Sequence, residues 1–137
     1  MARMIFVNLP VKDLDTSKAF FTALGFAIDP VFTNDAAACV VVEKDSIHVM
    51  LLTEPFFQSF INDSIADAST SREVLNCLSC ASREEVDELL AKAIAAGGKP
   101  WKPVMDQGPM YGASFQDPDG HVWELAYMDM EQVLGQS

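Results

Sequence analysis

Apolar residues fall along this chain in two rhythms, and the order of rhythms runs through twice. "MIFVNLPV" (residues 4–11) is an apolar run dense in β-formers and stopped at Pro10, which predicts a short strand. "DLDTSKAFFTALGF" (13–26) changes period: Ala19, Phe20, Ala23 and Leu24 share one helical face, Asp15 or Thr16 is the expected cap, and Gly25 closes the helix. Three strands are expected next, in "AIDPVFT", "AAACVVVE" and "SIHVMLLTE", separated by the polar turns "NDA" and "KDS".

After "PFFQSFINDSIADASTS", whose Ser/Asp/Thr-rich tail reads as a linker over about 62–72, the pattern restarts. "EVLNCLSCA" predicts a strand, and "SREEVDELLAKAIAAGG" a helix with Ser82 as cap, Glu85 completing a capping box, and Gly97 and Gly98 as the stop. "KPWKPVMD", "MYGASFQD" and "HVWELAYMD" supply three further strands. The chain is therefore an α+β protein made of two βαβββ modules, about 1–66 and about 73–137, within one domain spanning 1–137. Neither module can bury both faces of its sheet alone, so the two are expected to share a core.

Composition narrows the function. At 137 residues, half of them apolar, the chain can bury roughly two-thirds of its unfolded surface and needs no disulfide or structural metal to fold. A formal net charge of −11 excludes nucleic acid and anionic membranes as natural partners, because both demand clustered Lys and Arg. Three cysteines are too few and too odd in number for a disulfide framework, and no apolar run approaches a membrane span. The start "MARMIFVNLPVKDLD" has no signal-peptide apolar core, so a reducing cytoplasm is the expected compartment.

"LPVKDLDTSKAFFTALGF" resembles the opening of the vicinal oxygen chelate superfamily, which groups glyoxalases, bleomycin-resistance proteins, fosfomycin-resistance enzymes and extradiol dioxygenases. "FQDPDGHVWEL" resembles its closing strand: Asp117, Pro118, Asp119 and Gly120 make the turn, with Glu124 at a fixed offset beyond it. The resemblance implies curved mixed sheets around a cleft and, in many members, a homodimer. It also implies a divalent Zn, Ni, Mn or Fe(II) ion held at four strand positions by His and Glu, where it acts as a Lewis acid on a substrate with two vicinal oxygens.

Offsets from the family's landmarks place those four positions at Phe6, Met50, Leu75 and Glu124. Only the last is a ligand type, since thioether is soft and phenyl and isobutyl groups offer no donor. His48 shares the face of Met50, two residues away on the strand, and could join Glu124 and Asn8 in a shifted, sparse site; the plainer alternative is a His near a strand end, partly solvated or bonded to backbone. Glu124 itself reads as a metal ligand, as a substrate contact or metal-free base, or as a structural carboxylate. Cys77 shares the parity of Leu75 and lines the expected pocket, although Cys77 and Cys80, three apart on a strand, point to opposite faces.

Replacing ligands with Phe6, Met50 and Leu75 makes the cleft apolar, with Asn8, His48, Tyr111 and Glu124 as its few polar groups. Phe56, Phe57 and Phe60 come just after the first module's strands, where the resemblance implies a mobile flap; the alternative is packing against a neighbouring subunit or a helix. Two functions fit: a protein that binds a small organic molecule with no cofactor, or a metal-dependent lyase or extradiol-type dioxygenase with an unusual site around Glu124. A fold shared by many chemistries does not choose between them.

Overall fold

The computed structural model describes residues 3–135. The chain divides between Asp67 and Ala68 into two compact units, each built as a βαβββ module.

In the first unit, Ile5–Val11 forms β1 and Leu14–Ala23 forms α1. The cap is Asp13, two residues earlier than expected: it holds extended geometry (φ −134°, ψ 106°) and its carboxylate accepts the Thr16 N–H at 3.1 Å. That entry turns Leu14, Ser17, Phe20 and Phe21 inward and leaves Ala19 and Ala23 on the outside. Phe26 is followed by β2, which covers only Ala27–Asp29. Pro30 has no N–H for the ladder, so the segment expected as one strand continues as a 3-10 turn, Pro30–Phe32, capped by Asp29. Strands β3 (Ala37–Glu43) and β4 (Ile47–Thr53) follow, and α2 (Glu54–Gln58) carries Pro55 in its first turn, where proline is well suited.

The second unit opens with β5 (Asn76–Ser79), shorter than the apolar run predicts, so that Leu75 stands outside the strand. In α3 (Arg83–Ala95) the Ser82 hydroxyl accepts the Glu85 N–H at 3.1 Å, as a capping box requires; the Glu85 carboxylate reaches back to the N–H of Ala81 at 2.8 Å, one residue beyond the usual partner. "KPWKPVMD" splits into β6 (Lys99–Pro100) and β7 (Met105–Gln107), because between them the Lys102 N–H turns to the Ser114 hydroxyl at 3.0 Å. Strands β8 (Met110–Gln116) and β9 (Val122–Met128) complete the sheet, and a short α4 (Met130–Leu134) follows.

Both sheets are curved, mixed and open. The first has the order β1-β4-β3-β2, the second β5-β9-β8-β6 with β7 on β8; the β1–β4 and β5–β9 pairs are parallel and the rest antiparallel. Helices α1 and α3 each cover one face of their own sheet. Leu9, Ala38, Val40, Val49 and Leu51 form the covered face under α1, and Ala113, Phe115, Trp123 and Leu125 pack with Val86 and Ala93 of α3. Alternation then sends the remaining residues of each strand to the face opposite α1 or α3, uncovered by either of these helices although Cys39, Leu52 and Val122 on it are buried, where the family's chemistry would reside. Among the described residues no helix is long and apolar enough to cross a membrane.

Candidate functional site

The β1–β4 register pairs Phe6 with His48 and Asn8 with Met50, so all four share the uncovered face of the first sheet, as their parity predicts. Phe6 lies with its ring nearly parallel to the His48 imidazole, 15° off, with centroids 4.8 Å apart. The pair is asymmetric: Phe6 is 43% exposed and His48 only 6%. His48 Nδ1 is buried and has no hydrogen-bond partner. His48 is thus more buried than a histidine near a strand end is expected to be. Leaving a buried polar nitrogen unmet costs about 1–3 kcal/mol, so the fold holds this imidazole in place at a loss. Asn8 is exposed and donates its amide to the Phe6 carbonyl at 3.2 Å; Met50 is half-buried beside Cys39.

On the second sheet, Glu124 of β9 is flanked by Cys77 on β5 and Ser114 on β8. It is half-exposed, on the uncovered face. Burial, and then the Glu124 charge, raise the Cys77 thiol pKa, so this cysteine is held as a thiol rather than primed as a nucleophile. Cys80 goes further, to about 11, through burial and the charge and hydrogen bond of Glu85. Gln116 is on the same face, and its side-chain oxygen accepts from Arg72 at 3.0 Å while that guanidinium lies 4.4 Å over the Trp101 ring. Sequence reasoning passed over Arg72, a lone cation in the linker whose partners, Trp101 and Gln116, are remote in sequence.

Two expected residues stand elsewhere. Tyr111 pairs with Asp106 and Tyr127 across the sheet and faces α3, where its hydroxyl donates to the Asp87 carboxylate at 2.6 Å and its ring lies 4.9 Å under the Arg83 guanidinium. It is on the opposite face from Glu124, so it is not part of that group. Leu75, outside β5, is 54% exposed and fixed by no ladder.

The closing turn is a structural device. The buried Asp117 carboxylate accepts the N–H groups of Asp119 and His121, each at 3.0 Å, and the indole N–H of Trp123 at 3.0 Å. Burial raises its pKa, against the pull of His121 and of these hydrogen bonds. Gly120 adopts φ +89°, and a Cβ there would meet the Ala68 carbonyl oxygen at 2.9 Å. The motif therefore positions β9, and Glu124 with it, through contacts that Glu124 does not make.

A recess of about 160 Å³ opens at the start of α3 among Ser82, Arg83, Glu84, Tyr127, Asp129 and Gln132. Small-molecule pockets usually measure roughly 300–1,000 Å³. This one is too small and too polar for an organic ligand, and Tyr127 places it on the α3 side rather than with Glu124.

Comparisons agree with this architecture. Residues 3–125 match the model of the glyoxalase/bleomycin resistance protein/dioxygenase superfamily. A solved structure of hypothetical protein SA1046 from Staphylococcus aureus is 30% identical, with a TM-score of 0.77 over 93% of this chain and 94% of that one. A glyoxalase/bleomycin resistance protein/dioxygenase family enzyme from Burkholderia phytofirmans PsJN is 18% identical, with a TM-score of 0.75 over 93% and 99% of the two chains. The fosfomycin resistance protein FosX from Listeria monocytogenes is 20% identical, with a TM-score of 0.67 over 96% and 98%. No curated protein matches the chain. With two βαβββ modules, the closing turn ahead of Glu124 and a family match over nearly its whole length, this chain belongs to the glyoxalase/bleomycin resistance protein/dioxygenase superfamily.

Proposed function

We propose that the protein binds a small organic molecule on the largely apolar uncovered face of its sheets, without the divalent ion that many relatives use. The observation that carries this reading is the donor set at the four family positions. Phe6, Met50 and Leu75 have no hard donor, and Glu124 alone falls short of the three protein ligands a catalytic ion normally takes. His48 is an uneasy substitute, since Phe6 lies over one face of its ring and its Nδ1 is buried. Among the described residues no three His, Cys, Asp or Glu side chains gather closely enough to hold an ion. The residues present do not fit the group.

Each sheet contributes separately to such binding. Phe6 and Met50 offer apolar area, with Asn8 and His48 as polar points beside it. Glu124 offers a carboxylate to a ligand N–H or O–H, and acts as a base if the bound molecule has an acidic proton there. The net charge of −11 favours neutral or cationic ligands. The exposed edge-to-face pair of Phe56 and Phe60, 5.0 Å apart at 72°, supports a homodimer, and the reduced cysteines suit a cytoplasmic setting.

A second reading, a lyase or dioxygenase of glyoxalase type, draws support from the half-exposed Glu124 at the family's last ligand position. A thermal-shift screen of neutral and cationic organic compounds, run in buffer with a strong chelator, separates the two. Binding should raise the melting temperature for a subset of compounds despite the chelator. Shifts that appear only after loading with Ni, Zn, Mn or Fe(II) would overturn the proposal in favour of the second reading.

A further inference from the structure

We propose that Phe6 and His48 form an aromatic subsite, on which a planar conjugated ring of the ligand stacks in line with the two side-chain rings. This rests on the small-molecule reading above and names the class of molecule. Three observations carry it. The imidazole covers one side of the Phe6 ring at 4.8 Å and 15°, so the phenyl is braced from behind. Phe6 remains 43% exposed, leaving ring surface open to a third partner. The bracing group is a 94% buried histidine whose Nδ1 lacks a partner, although an aliphatic side chain would fill such a place with no orphan nitrogen. The orphan nitrogen marks the position as shaped for more than packing, and the stacked geometry with the open Phe6 ring points to a planar partner.

The neighbours suit such a ligand. Asn8 is one step along the same face, exposed, and able to accept or donate at the edge of a stacked ring, and the polarisable Met50 thioether lies opposite it. A saturated ring of equal size could occupy the same area but would forgo the preference of aromatic faces for offset stacking.

The test uses two probes of matched size, 2-naphthol and decahydro-2-naphthol, titrated into the full chain and followed by NMR shifts and calorimetry. Planar binding should be tighter by roughly three- to tenfold, the range expected for an aromatic pair. In Phe6→Leu, which keeps an apolar residue at a half-exposed position, that preference should fall to about unity while decahydro-2-naphthol changes less than about twofold. Equal affinity of the two probes, or equal weakening of both in Phe6→Leu, overturns the subsite and leaves the small-molecule reading standing. Failure of both probes to bind up to their solubility limits, while the thermal-shift screen finds other ligands, also overturns the subsite alone. Failure in both experiments sinks the parent reading too. If Phe6→Leu instead dissociates a dimer, the ring is covered by a second copy and the subsite is wrong.

Discussion

Asp117 accepts the indole N–H of Trp123, six residues further on, at 3.0 Å in the interior of the second module. With the Asp119 and His121 N–H groups on its other oxygen, this carboxylate ties the closing turn to the strand that bears Glu124. The most recognisable motif of the chain thus works for the fold, and it positions Glu124.

Replacing Asp117 by Asn should weaken folding by about 1–3 kcal/mol, because the amide can accept the turn N–H groups but leaves one buried donor facing another. The same variant should change the pH dependence. The folded pKa of Asp117 is raised by burial, so between the ordinary aspartate value and that raised value the folded state binds more protons than the unfolded. Its contribution is therefore fully present at low pH and is lost as pH rises through the folded pKa. Denaturant midpoints measured across the acidic range should decline less with rising pH in Asp117→Asn than in the native chain.

Gly120→Ala should be distinctly worse than Gly97→Ala. Both glycines have positive φ, but a Cβ at 120 meets the Ala68 carbonyl at 2.9 Å, while a Cβ at 97 has nothing within 4 Å. Backbone strain alone costs about 1 kcal/mol, so Gly97→Ala should stay near that figure and Gly120→Ala exceed it by about 1–2 kcal/mol. Urea unfolding of the two variants side by side checks the difference.

Cys77 should react slowly with iodoacetamide at neutral pH for a cysteine on an exposed strand. Burial raises its pKa first and the Glu124 charge raises it further, so the thiolate fraction is small. Glu124→Gln removes the second cause only. Alkylation followed by mass spectrometry should then accelerate, by less than the roughly tenfold change that one pKa unit would give.

His48→Phe should stabilise the protein by about 1 kcal/mol, since it preserves a ring beneath Phe6 and removes a buried nitrogen without a partner. A ligand that draws on the imidazole should bind more weakly to the same variant. Thermal melting with and without ligand reads both effects, and their opposite signs would mark His48 as a residue kept for function.

Much of this was legible in the chain itself. The duplicated βαβββ order follows from two changes of hydrophobic period, and Ser82 with Glu85 announces α3 correctly. Side-chain parity places Phe6, Asn8, His48 and Met50 together, because alternation is a local property of a strand. What was missed depends on partners remote in sequence. Tyr111 turns toward α3 because of the register of β8 against β9, which no local pattern encodes. Leu75 falls outside β5 because only Asn76–Ser79 pairs with β9. The burial of His48 and the clamp of Arg72 on Trp101 are likewise products of packing. Asp13 was not singled out as the cap because Asp15 and Thr16, close by, are equally able to accept a helix N–H.

Metal content, read by elemental analysis, decides whether Glu124 holds an ion. The protein would be purified without a metal-affinity tag, dialysed against Ni, Zn, Mn or Fe(II), and compared with Glu124→Ala. The donor set predicts no ion above background in either protein, with ligand binding indifferent to chelator. Close to one ion per chain, lost in Glu124→Ala, would contradict it and make Glu124 a metal ligand.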